Sequence, residues 1–528
     1  MIGYSVIQKA KRGRAIPAGG LAVVHAGSIG ERATDSGGNK QPRDICSCDA
    51  GPTWRRLQVL PMKRPSEVPV STYFQFAPRL IPWRFINGLL NHRFWALARR
   101  WIPFSLRHRI RTMLATSAHR DFRFLRTSAW LDGTPTTPPK PDARLLSVTH
   151  GRVHGLNLYG YFSRWLGLGE CARLHARALL DAGFPVSLHD VEIDIPHARN
   201  DRTLAEHFRT LPAYERDLIF INPDHWADAL HSIYGHTSKR DRYVIGYWFW
   251  ELEEFPKAWL PTLELVDEIM VSSHFVELAL RRVTDKPITR VPLPVLIGHD
   301  SGLQRHHFGL NDQDYVFFCS FDFNSMLARK NPMAVIEAFC KAFPRGDEKV
   351  SLLIKSFNGH RDLMLLMRLA SAVARDRRII LRDDLLERED LQALHRCVDV
   401  HVSLHRSEGF GLGMAEAMSM GKPVIATGYS GNMEYMNANN SCLVKYDLVP
   451  VGEGEYQHGQ GQHWANPDPL HAAQYMRALY LDRTLGARLG MRASLDMARG
   501  FSVNAFVRVL EDRLRQIEVE RCSVAIGS

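Results

Sequence analysis

The stretch Ser407–Met418, SEGFGLGMAEAM, concentrates residue types that bind and handle anions. Gly409, Gly411 and Gly413 let a backbone come close to a ligand, and a glycine-rich loop opening a helix offers unpaired amides to a group such as a diphosphate. Glu408 and Glu416 stand eight positions apart, which puts one on the loop and the other a turn or two into the helix. Two glutamates at that spacing are more often a solvated helix face. The flanks argue for a site, because strand-like runs DVHVSLH (399–405) and KPVIATG (422–428) bracket the segment in a strand-loop-helix-strand unit. Upstream, Arg329 and Lys330 precede a helix in FNSMLARKNPMAVIEAFCKAF; the pair suits a group that gains negative charge in a transition state, or is simply solvated.

These residues need elements to hold them. From residue 142 the pattern is strand, glycine loop, helix, repeated, which is the signature of parallel α/β units. RLLSVTHGRVHGLNLYG contains a first strand and WLGLGECARLHARALLDAG a loop entering a helix that stops at Gly183. FPVSLHDV, RDLIFIN, RYVIGYWFW and EIMVSS add strands, and the prolines of ITRVPLPV (288–295) suggest a crossing between domains. A second series follows with YVFFCSFDF, VSLLIKSF, RIILRD, DVHVSLH and KPVIATG. The expected fold class is α/β with two Rossmann-like doubly wound domains, over 142–294 and 295–500, and an amphipathic C-terminal helix and tail over 501–528 crossing back to the first.

Composition sets the outer bounds. Hydrophobic residues at 45% and charged residues at 23% of 528 suit a folded globular chain. The eight cysteines are scattered, and Cys46 with Cys48 forms only half of any metal motif, so a reduced, cytoplasmic setting without a metal is expected. No apolar run reaches bilayer-spanning length, and the first residues lack the apolar core of a signal peptide. Charge is uneven: residues 1–130 hold 22 Lys and Arg against 6 Asp and Glu, the remainder 45 against 50. A nucleic-acid-binding body is therefore not expected. Residues 1–75 read as a disordered leader and 76–141 as a basic helical extension and linker. Within that extension, 86–125 carries arginines with Phe94, Trp95, Trp101 and Phe104, a composition suited to an anionic membrane surface or to packing on the catalytic body.

Glu408 and Glu416 in this context, with GKPVIATGYSGNMEYM after them, resemble the retaining glycosyltransferases of the glycosyltransferase-B fold, family 4. The resemblance covers about residues 150–515. It implies transfer of a sugar from a nucleotide-sugar donor to a glycan or lipid-linked acceptor, with no cofactor. By that resemblance Glu416 holds the ribose hydroxyls and Glu408 faces the transferred sugar. The backbone from Gly409 through Phe410 and Gly411 to Leu412 meets sugar or phosphate oxygens, and Arg329 and Lys330 hold the diphosphate. The family's second arginine, six residues before the lysine, is replaced here by Asn324, and Lys355 is the candidate for the missing charge. Gly169 in GLGE (167–170) resembles the family's first glycine loop, though a plain strand-to-helix turn reads the same way. Asp224 and His225 in INPDHW, with Trp250 and Glu251 in GYWFWELEEFP, end strands on the expected cleft edge and are acceptor candidates. Trp248 and Trp250 suit stacking on a sugar, or a core. Ser272, Ser273 and His274 read first as a helix cap. A nucleotide-sugar epimerase of the same fold, and a membrane-surface module with a degenerate transferase fold, are the competing readings; a dinucleotide-dependent dehydrogenase is disfavoured because no GxGxxG follows the first strand.

Overall fold

A computed structural model describes residues 155–527, apart from 194, 196, 198–200 and 236–241. The expected leader, the basic extension with residues 86–125, and Cys46 and Cys48 lie outside the described residues.

β1 (Leu156–Gly160), β2 (Val186–Asp190), β3 (Arg216–Phe220), β4 (Tyr243–Tyr247), β5 (Glu268–Val271) and β6 (Ile288–Arg290) form one parallel sheet in the order 2-1-3-4-5-6. β7 (Tyr315–Asp322), β8 (Val350–Phe357), β9 (Ile379–Asp383), β10 (Val400–Ser403), β11 (Val424–Thr427) and β12 (Cys442–Val444) form a second, in the order 12-11-10-7-8-9. β7 shows why such strands read as unbroken apolar runs. Its Phe317, Cys319 and Phe321 enter one core and its Val316 and Phe318 another, so both faces of the sheet are covered. Two doubly wound domains result.

Three features depart from the sequence pattern. The run ITRVPLPV supplies a last strand before it crosses between domains, Ile288 pairing with Ile269. β12 spans three residues, too few for a periodic signal. After it comes an antiparallel hairpin, β13 (Tyr446–Pro450) with β14 (His463–Pro467), whose connection is rich in Gly and Glu and reads as loop. In sequence the hairpin follows the second sheet, yet its Val451, Tyr456 and Trp464 are buried with Trp248, Trp250 and Trp259 of the first domain.

The C-terminal helix Val503–Gly527 buries Phe506, Leu510, Leu514 and Ile517, one stripe at helical spacing. It lies on the first domain. Phe506 meets His175 edge-on at 4.9 Å, and Arg513 pairs at 2.8 Å with Glu268, which is fully buried in β5. No described helix is long and apolar enough to cross a membrane.

Candidate active site

In the second sheet the strand order reverses between β7 and β10, and open α/β sheets bind ligands beyond the carboxyl ends of strands at such a point. Both candidate loops leave from there. After β7, Asp322 accepts from the Asn324 amide at 2.9 Å, a short helix Leu327–Lys330 follows, and Pro332 begins the helix Pro332–Ala342. After β10 comes Glu408. Its Oε1 lies 2.5 Å from Lys330 Nζ and its Oε2 3.0 Å from Arg329 Nη1, which also donates to the Ser407 carbonyl at 2.9 Å. Burial would raise the Glu408 carboxyl, but Lys330 and Arg329 outweigh it and hold it at about 2. Burial also loosens the proton of Lys330, opposing the pull of Glu408. The glutamate is an anion, and it is the group that most opposes loss of the Lys330 proton. Arg329 Nε is buried and without a partner among the described residues, so the guanidinium has a donor to spare.

The loop carrying Glu408 is fixed by contacts that the sequence pattern did not assign, several of them from GYSGNMEYM. Ser430 sits at φ 77° and its hydroxyl accepts from the Glu408 amide at 2.8 Å. A Cβ on Gly431 would stand 2.0 Å from the Gly409 carbonyl, and one on Gly409 3.3 Å from Phe249 and the Trp250 carbonyl, so two glycines let three backbone segments meet. Gly411, at φ 87°, caps the helix Leu412–Ser419. Tyr435 donates its hydroxyl to the Gly411 carbonyl at 2.7 Å, and the Phe410 ring packs on Tyr435 at 5.0 Å. Ser273 accepts from the Val276 amide as a cap should, and its hydroxyl donates to the Gly409 carbonyl at 2.7 Å. Met414 and Ala415 return their amides to the Gly411 carbonyl at 3.1 and 3.2 Å, which leaves those of Leu412 and Gly413 to open the helix. In the sequence these supports show only as the stretch GYSGNMEYM and as Ser273, read there as a helix cap.

Glu416 is set apart from Glu408. It is buried in Leu412–Ser419 with Arg388 Nη2 3.9 Å from its Oε1. Burial raises its carboxyl to about 7, Arg388 opposing and Glu170 reinforcing the shift. Glu170, at the start of the helix Gly167–Asp181 in the first domain, is itself ion-paired to Arg388.

The remaining expected residues divide. Glu251 comes from the first domain to the cation cluster: its Oε1 is 3.8 Å from Arg329 Nη2, and Tyr456 of the hairpin donates to its Oε2 at 2.7 Å. Asp224 and His225 sit half-exposed at the carboxyl end of β3, 3.9 Å from each other. Trp248 and Trp250 each show 1% exposure; Trp250 packs against Trp259 at 4.8 Å and donates Nε1 to the Glu254 carbonyl. Neither ring has a face to offer a sugar, so the stacking expectation gives way to a core role. Gly169 lies inside the helix, where a Cβ would meet the Tyr161 carbonyl at 2.5 Å; close packing explains the glycine. Lys355 is buried in β8, its proton loosened by burial while Asp384, Asp383 and Asp322 oppose. Asn324 Nδ2 meets His197 Nε2 across the domains at 3.2 Å.

Residues 322–450, which contain Arg329, Lys330, Glu408 and Glu416, match the family Glycosyl transferases group 1. No curated protein sequence matches the chain. Among solved structures, sucrose-phosphate synthase from Thermosynechococcus elongatus is similar at 16% identity and TM-score 0.51, over 70% of this chain and 100% of that one. A glycosyltransferase from Rickettsia africae is similar at 14% identity and TM-score 0.50, over 69% of this chain and 97% of that one. TarM from S. aureus is similar at 14% identity and TM-score 0.42, over 57% of this chain and 55% of that one, so the chain spans about half of TarM. At such identities the likeness is one of architecture, and the architecture is the glycosyltransferase-B fold.

Proposed function

We propose that this chain, with its glycosyltransferase-B fold and a segment of the Glycosyl transferases group 1 family, is a retaining hexosyltransferase. The observation that carries the reading is the cluster of Arg329, Lys330 and Glu408 beside a glycine-loop helix, where the strand order of the second sheet reverses. The donor diphosphate exchanges with Glu408 for Lys330 and for the spare donor of Arg329, and receives the amides that open Leu412–Ser419. Glu416 accepts from the ribose hydroxyls. As the bond from the sugar carbon to the diphosphate breaks, the cations and amides stabilise the growing charge. The acceptor hydroxyl attacks the same sugar face, and its proton passes to the departing phosphate oxygen. Glu251, held by Tyr456 and supplied by the first domain, is the candidate beside this cluster for meeting the acceptor. The reading assigns charge stabilisation to side chains and amides and includes no metal or cofactor.

The acceptor is a glycan or lipid-linked saccharide, in polysaccharide or glycolipid synthesis, with residues 86–125 as contact to an anionic membrane surface. GDP-mannose is the first donor to try. The test is release of nucleoside diphosphate across a panel of nucleotide sugars, with and without simple glycoside acceptors. Release from one donor, and a product that keeps the donor's anomeric configuration, is expected. An inverted product would exclude the retaining course, free epimerised donor would favour an epimerase, and no release from any donor would remove the reading.

A further inference from the structure

Arg388 begins the helix Arg388–Cys397 and has three partners in two domains. It pairs with Glu170 of the first domain, donates Nη2 to the Leu296 carbonyl of the linker at 2.9 Å, and holds the same nitrogen 3.9 Å from Glu416 Oε1. Glu170 is anchored in turn by Arg173, at 2.8 Å, and Arg173 by Asp201 at 3.1 Å and by the Phe162 and Arg164 carbonyls. This chain of contacts ends on Glu416. Arg388 also lines a cavity of about 610 Å³ with Arg177, Leu296, His299 and Asn504, so its guanidinium has room to shift.

The geometry points to Arg388 as a positioning residue that couples the first domain to the ribose site: Glu170 and Glu416 compete for one guanidinium, and the share Glu416 receives decides whether it meets ribose hydroxyls as a carboxylate. This rests on the reading of Glu416 as the ribose acceptor. An ionised carboxylate accepts from both hydroxyls, whereas its protonated form has a donor to place as well. Burial raises the Glu416 carboxyl to about 7, with Arg388 lowering and Glu170 raising it, so the competition is settled within the neutral pH range. Among the described residues, the other elements packed around Leu412–Ser419, which are β10, the apolar β11 and the helix Arg483–Gly500, bring no further charge to Glu416. β10 presents His401 beside Gly413, which burial keeps neutral at about 3. The helix Arg483–Gly500 turns buried Ala493 and Met497 inward, while its Arg492 and Asp496 pair with each other at 3.1 Å. Lys422, just beyond the helix, is engaged by the Arg396 and Val398 carbonyls.

The test is calorimetric titration of the full chain with UDP and GDP, and with the 2′,3′-dideoxy form of whichever binds, from pH 5.5 to 8.5. Affinity for the ribonucleotide should rise with pH as Glu416 ionises. In Arg388→Met the midpoint of that rise moves up by about one unit, and affinity at pH 7 falls about 5-fold, as the ionised fraction drops from about one half to about one eleventh. In Glu170→Gln the midpoint moves down, because a negative neighbour is lost and Arg388 is released to Glu416. Ionisation of the terminal phosphate, at about pH 6, raises affinity for both forms, so the midpoint is read from the ratio of ribonucleotide to dideoxynucleotide affinity, in which that contribution cancels. Opposite shifts in the two variants support the coupling, and Glu170→Gln tests it even if Arg388→Met does not fold. Unmoved midpoints, shifts of the same sign, or equal losses with the dideoxy nucleotide overturn it and leave the transferase reading standing. If the unmodified chain binds no nucleoside diphosphate of the donor panel, the donor reading is overturned and the coupling falls with it.

Discussion

Lys330 is held by opposing demands: burial works against its charge, and a carboxylate 2.5 Å away restores it. Lys330→Ala should therefore lower kcat about 100-fold while changing the Kd for free nucleoside diphosphate much less, because the cation matters most as charge grows on the leaving group. Steady-state kinetics beside calorimetry distinguish this from a loss of binding alone. Glu408 gives a stability signature with a definite sign. Its carboxyl is depressed from 4.5 to about 2 on folding, so it stabilises the protein above pH 4.5 and that contribution is lost as pH falls towards 2. Glu408→Gln should have a lower Tm than the wild type at pH 6, by on the order of 3 kcal/mol in stability, with the gap closing as both are acidified. The catalytic candidates were legible because charges beside glycines at fixed spacing are unusual in a strand-loop-helix unit. Arg388 and Tyr456 were not, because their meaning arises from contacts between distant parts of the chain. Tyr456 stands 205 positions from the Glu251 it holds.

Among elements, strands with long apolar runs were readable because a parallel sheet buried on both faces demands them. β12 and the hairpin after it were not, being short or polar in sequence. The tryptophans of β4's end were ambiguous for a related reason: an aromatic at a strand terminus can face a cleft or a core, and only the hairpin's Trp464 and Tyr456 settle it. The C-terminal helix was readable from its stripe, whose buried apolar side chains hold it on the first domain, and one polar contact would be costly to break. Arg513 donates to both oxygens of Glu268, whose carboxylate is fully buried and also accepts from Thr289 and Tyr243. Arg513→Met should leave that charge without its cation and cost about 3–5 kcal/mol, read from urea unfolding. Glu511→Ala, in the same helix and paired with Arg515 near the surface, should cost under about 1 kcal/mol.

For the whole molecule, charge is the property that separates its parts. Residues 51–130 hold 15 Lys and Arg against 2 Asp and Glu, and near an anionic leaflet each cation contributes roughly 1 kcal/mol. Deleting residues 1–125 should release the protein from anionic vesicles in sedimentation while donor cleavage continues; undiminished vesicle binding by a stable truncation would exclude an anchor there. The hairpin has a mechanical consequence. It grows from the sheet that carries the cation cluster, yet its Trp464 and Tyr456 are embedded in the other domain, and the Gln462 side chain accepts from the Glu254 amide at 3.0 Å. A torque that swings the domains apart cannot be absorbed by the linker alone, because this lever arm must first be pulled from its apolar socket. The molecule should thus be stiff at the hinge, because the connection between β13 and β14 is itself pinned to the other domain by Val451, Tyr456 and Gln462. Opening of the cleft should then be shallow, read in solution scattering as a radius of gyration nearly unchanged on adding nucleoside diphosphate.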